Sequence, residues 1–412
     1  QFRSSAASDV YKRQADTNLA TIFNGGAALS GSTANASATD ADGDAITYSI
    51  ISGSLPSGLT LGSSTGYITG SVSGVAVQEY VFTVQAATSV SNSTRQFKLT
   101  VSSYPTGGSI STNGGFTYHT YTSSGTFTVS TGFTPTIEVF MMGAGGGGGS
   151  WVPGGGGAGG AVSMDSPNTL STSVQVYTVT VGAGGLGQLN PGGYGWQSAQ
   201  QAAITGGDTS IREAGGTYIL TAIGGGRGGS YNQGDPTGEQ NGGCGGGKGQ
   251  SGRPNGTGVQ TTATTSPLGT PVSANSRTYG VGYNGGSSSS NEGYGQQGGG
   301  GLNNSTRGGG NGKNGINFSW IAFLNQGTNS SNSQDSGGYF GGGGGAGHHS
   351  GGPVGSGGAG GGATGRSNSG SKAASGYANT GGGGGGGGRP GGDLSEGGNG
   401  GSGIVIIRYT SP

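Results

Sequence analysis

The sequence predicts a mainly β protein: a small β-sandwich, then a second sandwich whose loops are long glycine-rich insertions ordered as rods. Three observations predict it. Short runs of period-two alternation recur along the chain, bounded by Gly and Pro turns. The 106 glycines cluster at 145–149, 154–157, 341–345 and 381–388. Apolar strands run straight into such clusters, and the glycines before Ile404 lead into the strongly apolar Ile404-Val-Ile-Ile-Arg-Tyr.

Composition narrows the function classes. With 412 residues, 29% hydrophobic and 8% charged, the chain has room for two or three domains and little core material or surface charge. Sixteen basic and sixteen acidic residues leave no net charge, so nothing drives binding to a phosphate backbone, and nucleic acid is not an expected partner. Cys244 is the single cysteine, which excludes an intramolecular disulfide framework. No apolar run reaches eighteen residues, so no transmembrane helix and no membrane insertion are expected. The stretch 1–14 lacks glycine, carries three of the basic residues and resembles translated sequencing-adapter read-through. It is read as a non-native leader, with the natural N-terminus expected elsewhere.

Residues 15–103 are rich in Ser, Thr, Ala and Gly, with alternating runs at 45–51, 59–61, 67–71, 80–86 and 95–101. Alternation in Tyr80-Val-Phe-Thr-Val and Phe97-Lys-Leu-Thr-Val reads as an antiparallel β-sandwich. The text ATDADGDAITYSIISGSLPSGLTLGSSTGYITGSVSG, followed by YVFTVQA and FKLTV, resembles the cadherin-like, Ig-like modules of bacterial surface and phage tail proteins. Within it Asp40, Asp42 and Asp44 put three carboxylates on one turn, a spacing of hard oxygen ligands that suits Ca²⁺. The alternative is a polar turn whose Asp side chains cap backbone N–H groups. The pattern is not an EF-hand, because no glutamate closes a twelve-residue loop.

Residues 104–115 (YPTGGSISTNGG) read as a linker. The second sandwich then spans 116–412, with strands expected near 116–142, 174–181, 218–223 and 404–410 and glycine-rich insertions between them. A glycine inside a regular element costs roughly 0.5–1 kcal/mol relative to Ala, so such text is either disordered or uses its bare backbone for close packing. The strand at 404–410 decides for order, because it follows the longest glycine run and needs strand partners. Rods hung from anchored strand ends lie side by side, as left-handed helices with three residues per turn whose N–H and C=O groups pair between neighbours. Residues 381–388 should then be extended and hydrogen-bonded to other glycine runs.

The series YTSSGTFTV, IEVFMMGAGGGGG, YTVTVGAGG, YILTAIGGG and GSGIVIIRY resembles the glycine-rich domain of phage tail fibre and virion adhesin proteins. It is similar, more distantly, to the glycine-rich extracellular region of the anaplastic-lymphoma-kinase receptors. That likeness implies a TNF-like jelly roll carrying a polyglycine-II helix bundle, often trimeric. The phage tail fibre likeness implies loops between the helices that recognise a host-surface glycan or outer-membrane protein, other virion tail proteins as partners, and a virion or extracellular location. The sequence departs from those receptors in having no cysteine framework, transmembrane span or kinase region, so a metazoan receptor role is not expected.

Catalytic chemistry finds little support. Imidazole bases are limited to His119, His348 and His349, and serine is too abundant for its presence to mean anything. The G-x-x-x-x-G-K match at 242–248 lacks the following Ser or Thr and a strand-then-helix context. A non-enzymatic protein needing no cofactor is therefore expected. Trp151, Tyr194, Trp196, Tyr231, Tyr283, Tyr294 and Tyr339 lie between glycine clusters among amides and hydroxyls, as receptor-binding loop tips would. The apolar insertion 316–324 (INFSWIAFL) is read as packing. Two rival functions are a structural bacterial surface or filament protein, and an ice-binding protein, which would want a strict Gly-x-x repeat.

Overall fold

The computed structural model describes residues 17–411 except 31–32, 41–42, 152, 165–169, 173–174, 190–201, 217, 231–240, 250–255, 260–277, 282–298, 301–309, 319–320, 322–323, 325–326, 329–336, 349–352, 368–371 and 389–394. Eighteen strands, and no α-helix, occur among these residues. The protein is almost wholly β.

The N-terminal unit is Ig-like. Its main sheet runs in the order β1 (Thr17–Phe23), β6 (Asn92–Ser102), β5 (Glu79–Ala87), β2 (Thr47–Gly53), and β3 (Leu59–Leu61) pairs with β4 (Ile68–Gly70) as a separate ribbon. Alternation sends Phe82, Val84, Phe97, Leu99 and Val101 inward against Ile68 and Tyr48. β1, which the alternation did not reveal, joins as the one parallel strand, paired with β6.

Two antiparallel sheets form the second unit. One has the order β15 (Thr278–Val281), β11 (Ala161–Met164), β10 (Ile137–Met142), β18 (Ile404–Thr410), β8 (Phe116–Tyr121), β7 (Ser109–Asn113). The other has the order β14 (Tyr218–Ala222), β13 (Thr209–Glu213), β12 (Gln175–Thr180), β9 (Gly125–Val129). Between them Phe127, Val139, Met141, Tyr177, Ile211, Val405, Ile407 and Tyr409 make one core. The C-terminal strand finds its partners on both sides: β10 pairs with Ile404 to Tyr409, and β8 with Val405 to Thr410.

β10 and β18 are buried on both faces, which is why their sequences are continuously apolar rather than alternating. Phe140, Met142, Ile404 and Ile406 point away from the inter-sheet core and meet Phe340, Ile321, Ile316, Phe318 and Leu324. Two short strands, β16 (Ile316–Asn317) and β17 (Tyr339–Phe340), pair beside that cover, and the described apolar residues of the insertion pack as expected.

Residues 104–115, read as a linker, contribute an edge strand. β7 pairs with β8 although its only large apolar side chain, Ile110, is 57% exposed, so backbone pairing rather than burial makes it a strand. The two units also touch directly. Phe23 stacks on Tyr104 (5.1 Å between centroids) and meets Phe133 edge-on (6.1 Å), and Ser103 Oγ lies 2.7 Å from Ser130 Oγ.

The glycine runs are ordered. Residue 143 begins a rod directly after β10, and a second rod, 154–160, returns to β11. Along the first, the N–H groups of Gly143, Gly146 and Gly149 donate to Gly160, Gly157 and Gly154 at 2.9–3.0 Å. Ala144 and Gly147 donate to Gly207 and Ile204, while Gly145 and Gly148 donate to Gly401 and Gly398. The partner changes with each residue and recurs every third, the period of a helix with three residues per turn. Its carbonyls accept from three further rods, through Gly185 and Gln188, Gly225 and Gly228, and Gly384 and Gly387. The rod is thus enclosed by six others.

Residues 381–388 behave alike. Gly383 and Gly386 donate to Gly342 and Gly345, and Gly384 and Gly387 donate to Gly146 and Gly149. Such spacing tolerates no side chain at the inner positions: a Cβ on Gly146 would run into the Gly226 carbonyl, and one on Gly384 into the Gly398 carbonyl.

Candidate functional site

Rod direction defines two ends of the bundle. Rods 143–149, 182–188 and 224–230 leave β10, β12 and β14, while rods 154–160, 203–207 and 395–403 return to β11, β13 and β18. The sheets therefore hold the near end. At the far end lie Gly149 and Gly154, Gln188, Ser230, Lys248, His348, Arg366, Gly388 and Ser395. The described tips of the rod pairs 143–149/154–160, 182–188/203–207 and 381–388/395–403 meet there, through Gly149 with Gly154, Leu186 with Ile204 and Gly388 with Ser395.

Of the aromatic residues singled out from sequence, Trp151 lies in the turn between rods 143–149 and 154–160 at the far end. It is half-buried and has φ 66°, a left-handed conformation uncommon for a bulky side chain. Tyr339 is elsewhere: it sits in β17 at the near end, its backbone exchanging two hydrogen bonds with Thr328 at 2.9 and 3.0 Å. The fold thus separates these two residues by the length of the rods. Tyr194, Trp196, Tyr231, Tyr283 and Tyr294 lie outside the described residues.

The turn bearing Trp151 is held from several sides. Ser150 N–H donates to Gln188 Oε1 at 2.8 Å, and Ser150 Oγ donates to the Ser395 carbonyl at 2.8 Å. The Lys248 backbone lies against Gly154, and the ring of Pro153 lies against Gly347 and Gly386. His348 N–H donates to the Arg366 carbonyl at 3.1 Å. Arg366 in turn reaches the Lys372 carbonyl, while Lys372 Nζ donates to Asn399 Oδ1 at 2.7 Å. Sequence reasoning singled out none of Ser150, Gln188, Lys248 and Arg366 as site residues. Each ends or directly follows a glycine-rich run, the signal that marks a rod's tip.

In the N-terminal unit Asp44 N–H donates to Asp40 Oδ1 at 3.1 Å, and Gly43 N–H points to the Asp40 carbonyl at 3.4 Å. Asp40 therefore caps its own turn, the polar-turn alternative, while Asp42 lies outside the described residues. Among the described residues no group of three His, Cys, Asp or Glu is placed to hold a metal ion.

His119 is fully buried in the core. Its Nδ1 lies 2.7 Å from the Gly107 carbonyl, which can only accept, so Nδ1 carries the proton and Nε2 accepts from Tyr409 Oη at 3.2 Å. Burial holds its pKa below the ordinary 6.5, opposed by the weaker effect of the Gly107 hydrogen bond. Burial also pushes the Tyr409 phenol up to about 12. This histidine is a core group satisfied by two partners.

An Ig-like sandwich in front of a β-sandwich that bears glycine rods defines a structural or adhesin-like surface protein. The glycine-rich domain family matches residues 120–410, and the chain belongs to that family. The family described as Putative Ig domain matches residues 15–102. No curated protein matches the sequence. Among solved structures, an endo-fucoidan hydrolase from glycoside hydrolase family 107 is similar over 49% of this chain and 26% of its own, at 12% identity and a TM-score of 0.19. The chain spans about a quarter of that structure's length, and at this TM-score the likeness carries no argument.

Proposed function

We propose that the protein is a non-enzymatic attachment protein, a phage tail fibre or virion adhesin that recognises a host-surface glycan or outer-membrane protein. The single observation that carries this reading is the gathering of rod tips at the end of the bundle away from the sheets. A rigid platform that brings several rod tips to one face lowers the entropy lost when that face binds. On this reading the second unit is a TNF-like jelly roll and its rods a polyglycine-II bundle, supported by the three-residue recurrence of partners. The Ig-like unit acts as a spacer toward other virion tail proteins, and calcium at Asp40, Asp42 and Asp44 is secondary to the turn-capping role of the Asp40 side chain. Copies assemble as trimers, whose multivalency strengthens a weak single contact.

A structural surface or filament protein is the second reading, favoured by the density of hydrogen bonds between rods. Whole-cell binding separates the two. Exchanging the far-end turn between Gly149 and Gly154, or the 190–201 segment, is expected to change which bacteria are bound. If no exchange of far-end segments ever alters the set of cells bound, the attachment reading fails. Sedimentation that reports monomer alone removes the trimer.

A further inference from the structure

Resting on the attachment reading, we propose that the centre of the far end, built on Trp151 with Lys248 and Arg366 around it, binds an acidic polysaccharide. The indole stacks on a sugar ring, and the cations pair with its carboxylate or sulfate groups.

Position comes first. Rods 143–149 and 154–160 are interior rods. The second donates to rods through Gly229, Gly384 and Gly300, and accepts from rods through Gly146, Gly344 and Gly247. A turn joining two enclosed rods emerges in the middle of the end face. Trp151 occupies that turn, so it stands where a ligand lying across the tip must pass.

Conformation is the second observation. A positive φ is comfortable for Gly, Asn or Asp and strained for Trp, and the chain supplies glycine at nearly every neighbouring position yet places Trp at this one. Ser150, through Gln188 and Ser395, holds the backbone of the turn next to the half-buried Trp151. Rings held in this way stack on the apolar faces of sugars while neighbouring hydroxyls and amides bond the sugar hydroxyls.

Charge is the third. The chain as a whole is neutral. At the far end, however, the described cationic residues are Lys248 and Arg366, with Lys372 on the flank, against Glu396 as the described carboxylate. Among the described residues that excess of positive charge favours an anionic polymer over a neutral one.

The test uses the full chain and two anionic probes, polygalacturonate and dextran sulfate, with methyl-esterified polygalacturonate and dextran as neutral counterparts. Calorimetry should show binding to at least one anionic probe, weakening as NaCl rises, with the matching neutral polymer at least tenfold weaker. Trp151→Gly, which relieves the φ strain, should keep or raise the melting temperature and still weaken binding at least tenfold. The double variant Lys248→Gln, Arg366→Gln should weaken it severalfold and flatten the salt dependence. Equal binding of charged and neutral polymers, no binding to either anionic probe, or wild-type binding by Trp151→Gly overturns the proposal. If Trp151→Gly still attaches to the bacteria that the wild type binds, the proposal falls alone; if the wild type binds no cells, the attachment reading falls with it.

Discussion

The amide of Gly146 donates to the carbonyl of Gly157 at 2.9 Å, midway along the pair of rods that joins β10 to β11. In an ordinary β-hairpin those two positions would belong to one continuous ladder. Here the residues on either side of Gly146 point to other rods, Gly145 to Gly401 and Gly147 to Ile204. One connection between two strands thereby becomes part of a three-dimensional network.

Substitution of Gly146 should be costly. A Cβ there collides with the Gly226 carbonyl, which already accepts from Gly157, so two rods must part and buried backbone groups lose partners. Gly146→Ala is expected to destabilise by about 2–5 kcal/mol. Gly215→Ala, where an added Cβ meets nothing within 4 Å, should stay within about 0.5 kcal/mol of wild type. Denaturant titration of both variants checks the contrast, and equal stabilities would contradict the packing of the rods.

Acidity should act through His119. Its folded-state pKa lies below 6.5, so the unfolded chain takes up a proton before the native core does. The stability contributed by the neutral ring is complete above pH 6.5 and is lost as pH falls below it. Between pH 7.5 and 5.5 the melting temperature of the wild type should fall further than that of His119→Gln. Parallel curves would assign the acid sensitivity to other groups.

Across β10 and β18, Arg408 Nε donates to Glu138 Oε2 at 2.6 Å, with both side chains about one-fifth exposed, and the guanidinium lies 4.7 Å from the Phe116 ring centroid. Glu138→Gln keeps an acceptor but removes the charge. A loss of about 1–2 kcal/mol is expected, more than an exposed pair contributes. Chemical denaturation of Glu138→Gln beside Arg408→Gln, with the double variant closing the cycle, measures the coupling.

Removing Phe23 should free the joint between the units without unfolding either. Its ring bridges Tyr104 of the connecting segment and Phe133 of the second sandwich. Phe23→Ala is expected to speed proteolytic cleavage within 103–108 severalfold and to lengthen the maximum dimension in small-angle scattering. An unchanged cleavage rate would place the stiffness of the joint elsewhere, for instance in the Thr106 to Thr128 bridge.

Calcium gives the fifth prediction. Because Asp40 Oδ1 already accepts from Asp44 N–H, millimolar Ca²⁺ should shift the melting temperature by less than about 1 °C. A shift of several degrees that Asp42→Asn abolishes would restore the metal site.

The strands were legible where burial is one-sided or two-sided and the run is long. Alternation announced β5 and β6, and unbroken apolarity announced β10 and β18. β11, β13 and β15 escaped notice because they are four or five residues long and lie amid polar or glycine-rich text, so their strand character comes from neighbours that pair with them. β7 escaped for the related reason that an exposed edge needs no hydrophobic face. At the tip, Trp151 could be named from its setting among glycines. Its distinction from Tyr339 could not, because both simply follow or precede a glycine run in the text.

What the amino-acid sequence by itself determined is the material: apolar strands that end in glycine, and glycine runs that can approach one another only because they lack a Cβ. A single chain can declare that bare backbone is available. It cannot declare which backbone will meet it. That choice belongs to the tertiary structure, since each rod's hydrogen-bond partners are other rods scattered through residues 143–403, brought alongside by the two sheets that anchor their ends. Enclosure is likewise a tertiary outcome, and it is enclosure of the first two rods that carries Trp151 to the centre of the far face.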